Sequence, residues 1–257
     1  MNNRVNKLMQ LLRDNARAEA DGTAAPAIRV ETAADSADAH IYVYDVIDAW
    51  WGASAAALIE ALAGVGDRTV HLHINSPGGD VFEARAMAAA IVAHPGEVVS
   101  HIDGVAASAA TYLALAANQV RMSEGGLFMI HNSWTVAFGD KTELRSTADL
   151  LDKIDGTILA DYVRRTGASA DQVRAWMDAE TWFTPQEALD AKFIDAIDPN
   201  TKRDAAAAAA RWNLSAYAHA PKLAAAEPPA PAAEDLTALA AAQHQANRNR
   251  LRLLATI

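Results

Sequence analysis

A serine, a histidine and two carboxylates stand where nucleophilic catalysis could use them. Ser108 lies in G104-V-A-A-S-A-A110, where an apolar strand-like run gives way to a small-residue helical run. A serine at such a junction sits near free helix N–H groups, which favour developing negative charge. Taken alone, it reads first as a small buried residue capping a helix. His131 follows in M129-I-H-N132, at the end of an apolar run. An imidazole titrates near neutrality and can take a serine proton, although a lone histidine also reads as a core residue with a backbone partner. Asp178 and Glu180, in D178-A-E-T-W182, could orient such an imidazole, or form a solvated acidic turn. The turn N75-S-P-G-G79 follows a strand pattern and precedes a helix. Its glycines allow backbone N–H groups to converge on an anion or an oxyanion. The remaining histidines lack such context. His71 and His73 alternate on one strand face, a metal-ligating spacing with no third ligand close in sequence, so they read as structural or surface residues.

The elements that must position these residues alternate. Strand patterns cover 41–47, 69–75, 97–104 and 126–134, and helical patterns cover 54–65, 81–94, 108–118, 141–166, 169–178 and 185–191. Thr184, Pro185 and Glu187 form a capping-box start for the last of these. This alternation predicts an α/β layer fold with mostly parallel strands. Three regions are expected: an N-terminal helix and linker over 1–27, a folded domain over 28–199, and an Ala/Pro-rich appendage over 200–257. A helix is expected at 4–19, a linker at 21–26 and a final helix at 235–254.

Composition excludes several functions. Cysteine is absent, which removes disulfides, thiolate metal sites and cysteine nucleophiles. A net charge of −10 offers no cationic footprint for nucleic acid. No apolar run reaches the roughly 20 residues that span a bilayer, and the charged N-terminus has no signal-peptide core. No P-loop pattern occurs. The chain is expected to be soluble, to stay in the cytoplasm, and to need neither cofactor nor metal.

In this order, the motifs resemble the ClpP peptidase family over roughly residues 40–197. INSPGGDVFEARAM is similar to its glycine-rich segment, GVAASAA to its nucleophile segment, MIHN to its histidine segment and ETWFTPQEALDAKFID to its acidic segment. The resemblance implies a ClpP/crotonase-like fold of repeated β-β-α and β-α units, with a long handle helix over 141–166 and helical or disordered tails. It implies Ser108 as nucleophile, His131 as general base, and Glu180 where the family has an aspartate, with Asp178 as the fallback. The oxyanion hole would be the backbone N–H groups of Gly79 and Ala109. It also implies a homo-oligomer of stacked rings, heptameric or tetradecameric. ETWFT, MIHNSW and GGDVFEA look like the phage and prophage members that mature capsids. That branch implies an ATP-independent endopeptidase cleaving scaffold or capsid protein, in the bacterial host cell or inside the prohead. Residues 1–40 do not resemble the segment that docks an unfoldase ATPase. The alternatives are a non-catalytic assembly protein on the same fold and a crotonase-type acyl-CoA enzyme. Removal of 201–257 is expected to spare peptide hydrolysis and impair targeting.

Overall fold

Alternating burial sets the central strands. In the computed structural model, which describes residues 27–32, 38–199 and 212–221, strand β1 (Ile28–Thr32) is followed by β2 (Asp38–Val43). β2 buries Ala39, Ile41 and Val43, and β3 (Thr69–Ser76) buries Val70, Leu72 and Ile74. Helix α1 (Ala55–Val65) joins them, its N-terminus capped by Ser54, and sinks Leu58 and Leu62 into the core. Helix α2 (Val81–Ala93) starts at Asp80, whose carboxylate accepts from the N–H groups of Phe82 and Glu83. Such caps satisfy helix N–H groups that have no partner within the helix. β4 (Val98–Ala107), α3 (Ala110–Leu115), β5 (Gln119–Ser123) and β6 (Leu127–Ile130) follow. Then come α4 (Lys141–Thr166), α5 (Ala170–Asp178), β7 (Thr181–Phe183), α6 (Pro185–Asp190) and β8 (Ala196–Asp198).

The sheet runs β1-β2-β3-β4-β5-β8, with β6 branching from β4 and β7 from β6. All pairings are parallel except β1 with β2 and β6 with β7. β4 changes partners along its length: Val99 to Ile102 pair with β5, and Val105 to Ala107 pair with β6. Leu113, Met87, Tyr162 and Phe193 fill the core beneath the strands. α4 has a full capping box of Asp140 and Glu143 and ends at Gly167 in the left-handed region. It buries only Ile158, Tyr162 and Thr166, so its N-terminal half extends beyond the core.

The α/β fold with mostly parallel strands is as expected. Several boundaries differ. The run 41–47 forms a strand only to Val43, and Ile47 instead bridges Ala53 and Gly79. The helix expected at 108–118 spans Ala110–Leu115, because Ser108 takes φ +55 and cannot be helical. β1, β5, β7 and β8 were not anticipated; they have five residues or fewer, too short for a clear period. The helices expected at 4–19 and 235–254 and the linker at 21–26 lie outside the described residues. Residues 212–221, assigned from composition to the appendage, pack on the sheet: Trp212, Leu214 and Tyr217 are buried with Val105, Ala107 and Met129.

The sheet positions that alternate with the core carry a ladder of imidazoles. His40 and His73 share a hydrogen bond of 3.1 Å, and His71 and His101 one of 2.9 Å. His73 also meets Asp103 at 2.8 Å. The rings stack, with His73 and His101 centroids 4.9 Å apart. Among the described residues no group of these side chains is arranged to hold a metal ion. Burial pushes His101 down to about 4, with the neighbouring histidines adding to the shift, and His40 moves in the same direction. The unfolded chain therefore binds more protons between about 6.5 and 4, so stability must fall as the pH is lowered through that window. Thermal melts from pH 7 to pH 4 should show this fall, and His101→Gln should flatten it.

Candidate active site

Register builds the site. β4 and β6 are parallel neighbours with Ala107 opposite Met129. Ser108 and His131 follow at the C-terminal ends of these two strands, the end where open α/β sheets place their sites. The Ser108 N–H donates to the Met129 carbonyl at 2.9 Å, which continues the ladder one step past the strand. Ser108 then turns at φ +55, an unfavourable region for a residue with a side chain. Its hydroxyl and His131 Nε2 are 2.7 Å apart.

β7 supplies the acid position. It runs antiparallel to β6 with Ile130 opposite Thr181. One step further places Glu180 across from His131. Glu180 is also at positive φ, +50. Its carboxylate does not reach the imidazole by a hydrogen bond. It accepts instead from the N–H of Ala218 at 2.8 Å, the N–H of His219 at 2.7 Å and the Trp182 indole at 3.4 Å. Asp178, at the end of α5, accepts from the Asn132 amide at 2.7 Å. Burial pushes His131 down to about 4, and the charges of Glu180 and then Asp155 oppose that shift. Asp178 is not among the groups acting on it. Asp155, on α4, accepts from the Ser133 N–H at 2.6 Å.

The glycine turn approaches from β3. A bulge between Ile74 and Ser76 shifts the β3–β4 register just ahead of it. Asn75 ties the two strands, its side-chain oxygen accepting from the Val105 N–H at 3.1 Å. Ile47 donates to the Gly78 carbonyl at 2.9 Å and accepts from the Asp80 N–H at 2.8 Å. This bridge spans Gly79 without using its N–H. Among the described residues neither the Gly79 nor the Ala109 N–H has an acceptor. Gly78 (φ +93) and Gly79 (φ +149) have no space for a side chain. A Cβ on Gly78 would lie 2.5 Å from the Ala107 carbonyl oxygen and 2.9 Å from the Ser108 Cβ. Gly79, Ala109, Ser108 and His131 line one cleft with Asp48, Ser133, Trp134 and Tyr217.

A family model described as Clp protease matches residues 33–201. The chain belongs to the Clp protease family. It is 30% identical over 145 residues to "ATP-dependent Clp protease proteolytic subunit 1" of Leifsonia xyli subsp. xyli, covering 56% of this chain and 74% of that protein. It is 31% identical over 137 residues to "ATP-dependent Clp protease proteolytic subunit 2" of Thermobifida fusca, covering 52% and 68%. The chain is accordingly a serine-type peptidase. Among the described residues no helix is long and apolar enough to cross a membrane.

The structure brings Ser108, His131, Gly79 and Ala109 to one cleft, with Glu180 across the β6–β7 pair and Asp178 outside. Sequence reasoning missed Asp155, Ser133 and Tyr217. A signal for Tyr217 existed: W212-N-L-S-A-Y217 is an aromatic island in an otherwise Ala/Pro-rich tail. For Gly79→Ala, the new Cβ meets the Ile47 backbone and φ is unfavourable, so stability should drop by on the order of 3 kcal/mol. Urea denaturation of the variant beside wild type measures this.

Proposed function

We propose that Ser108 is the nucleophile of this peptidase and His131 its general base. The 2.7 Å contact between Ser108 Oγ and His131 Nε2, at adjoining strand ends, carries the reading. Ser108 Oγ attacks the scissile carbonyl carbon while His131 takes its proton. The carbonyl oxygen becomes an oxyanion held by the free N–H groups of Gly79 and Ala109. His131 then protonates the leaving amine, and water hydrolyses the acyl-enzyme by the same route. Glu180 is the orienting acid in this reading. Its support is the position opposite His131 and its leading place among the charges acting on that imidazole.

Ser108→Ala should abolish hydrolysis of a fluorogenic peptide and labelling by a fluorophosphonate, read by intact mass. Normal labelling of that variant would remove Ser108 from the reaction. Glu180→Gln should lower kcat/KM by about 10³ or more. Asp178→Asn should stay near wild type, and a larger loss in Asp155→Asn than in Glu180→Gln would transfer the acid's role to α4. Because burial holds His131 down to about 4, the base stays unprotonated well below the ordinary imidazole range. Labelling of the wild-type chain should therefore persist from pH 7 to pH 5 and fall only towards pH 4. A limb near 6.5 would contradict the buried imidazole.

For biological role we propose the capsid-maturation branch, an ATP-independent endopeptidase acting on scaffold or capsid protein within stacked rings. The support is the resemblance of ETWFT, MIHNSW and GGDVFEA, and the absence of an unfoldase-docking pattern in residues 1–40. The relatives' names describe ATP-dependent subunits, so ATP is the discriminating variable. Purified enzyme should trim a co-assembled scaffold protein with no nucleotide present. Cleavage only with ATP and an unfoldase would place it with those relatives instead.

A further inference from the structure

Residues 212–221 take no part in the sheet, yet they touch both halves of the reacting constellation. Trp212 and Leu214 are buried on the ends of β4 and β6. The Trp212 indole donates to the buried Asn75 side-chain oxygen at 2.9 Å. Tyr217 stands edge-on to the His131 ring, 5.3 Å between centroids. Its hydroxyl donates to the Pro77 carbonyl, one residue before the glycine pair. Burial pushes the phenol up, and a hydrogen bond with the Ser108 side chain works against that shift. An aromatic ring thus forms part of the wall of the cleft beside Ser108 and His131.

The main chain of the same segment engages Glu180. The N–H groups of Ala218 and His219 donate to its two carboxylate oxygens, at 2.8 and 2.7 Å. These two consecutive donors converge on one carboxylate because the main chain bends at 217–219. A carboxylate with both oxygens so engaged is held towards the segment and away from His131 Nδ1. A segment serving only to cover the apolar patch under Trp212 and Leu214 would need neither the Tyr217 hydroxyl on Pro77 nor the clamp on Glu180.

We infer that residues 212–221 hold the Ser108–His131 site latent until the segment leaves, with Tyr217 narrowing the cleft and the main chain engaging Glu180. The inference rests on the reading of Ser108 and His131 as the catalytic pair. Departure of the segment does two things at once. It opens the approach to Ser108, and it frees Glu180 to turn to the imidazole. The segment offers a bent main chain to Glu180 and an aromatic side chain beside the serine. A partner polypeptide of that kind competes for the same cleft.

The test uses the full chain and a small fluorophosphonate, with a fluorogenic peptide as second readout. Tyr217→Ala should label at Ser108 and hydrolyse the peptide at least tenfold faster than wild type. Tyr217→Phe should fall between the two, since the ring remains while the hydroxyl's hold on Pro77 is lost. A synthetic peptide of sequence 212–221 should slow Tyr217→Ala again. The acid limb of Tyr217→Ala should also move up from about 4, because water regains access to His131. On the wild-type chain, which requires no variant to fold, hydrogen exchange at Ala218 and His219 should accelerate once Ser108 carries the adduct. Equal rates in wild type and Tyr217→Ala, or unchanged exchange after labelling, would overturn the latency while leaving the peptidase reading intact. Slower reaction in both Tyr217 variants would make Tyr217 a participant rather than a restraint. No labelling in any form would overturn both readings.

Discussion

The site depends on one strand having two partners. β4 spends its first half beside β5 and its second half beside β6. That change of partner sets β6 alongside the strand end that carries Ser108, and it leaves α3 to descend from the same point. Ser108 and His131 then need no long side chains or flexible loops to meet. Their separation follows from the 4.7–4.9 Å spacing of adjacent strands and from which residues are opposite. The third position follows from the same ladder, because β7 extends the branch by one antiparallel strand and brings Glu180 into line with His131.

Close backbone approach does for the glycine turn what register does for the strands. Gly78 lies against Ala107 and Ser108, and Gly79 against Ile47. A methyl group on Gly78 would push the turn from Ser108, and one on Gly79 would push it from Ile47. The bulge in β3 and the Asn75 side chain hold the turn at this distance. The positive φ of Ser108 is over-determined by these neighbours, as expected where local strain is retained for a chemical purpose.

What was legible in the sequence was what is local. N75-S-P-G-G79, the segment around Ser108 and M129-I-H-N132 each announce a strand end or a turn within a few residues. The parallel order of the longer strands follows from β–α alternation. What was hidden depends on separation. β7 has three residues, so the pairing that sets Glu180 opposite His131 has no period to read. The imidazole ladder draws His40, His71, His73 and His101 from three strands, and only the two on β3 hint at it. Tyr217 meets Pro77 across 140 positions of chain, a contact that no local pattern encodes.

The hold on Glu180 through backbone N–H groups has a consequence for sequence drift. At position 218 the clamp reads the peptide unit and not the side chain. Any residue except proline supplies the same donor, so mutation there is close to neutral. Trp212, Leu214 and Tyr217 are bound by shape and by buried partners, and substitutions there meet resistance. Descendants of this chain can therefore vary at position 218 while keeping the same segment seated on the same carboxylate.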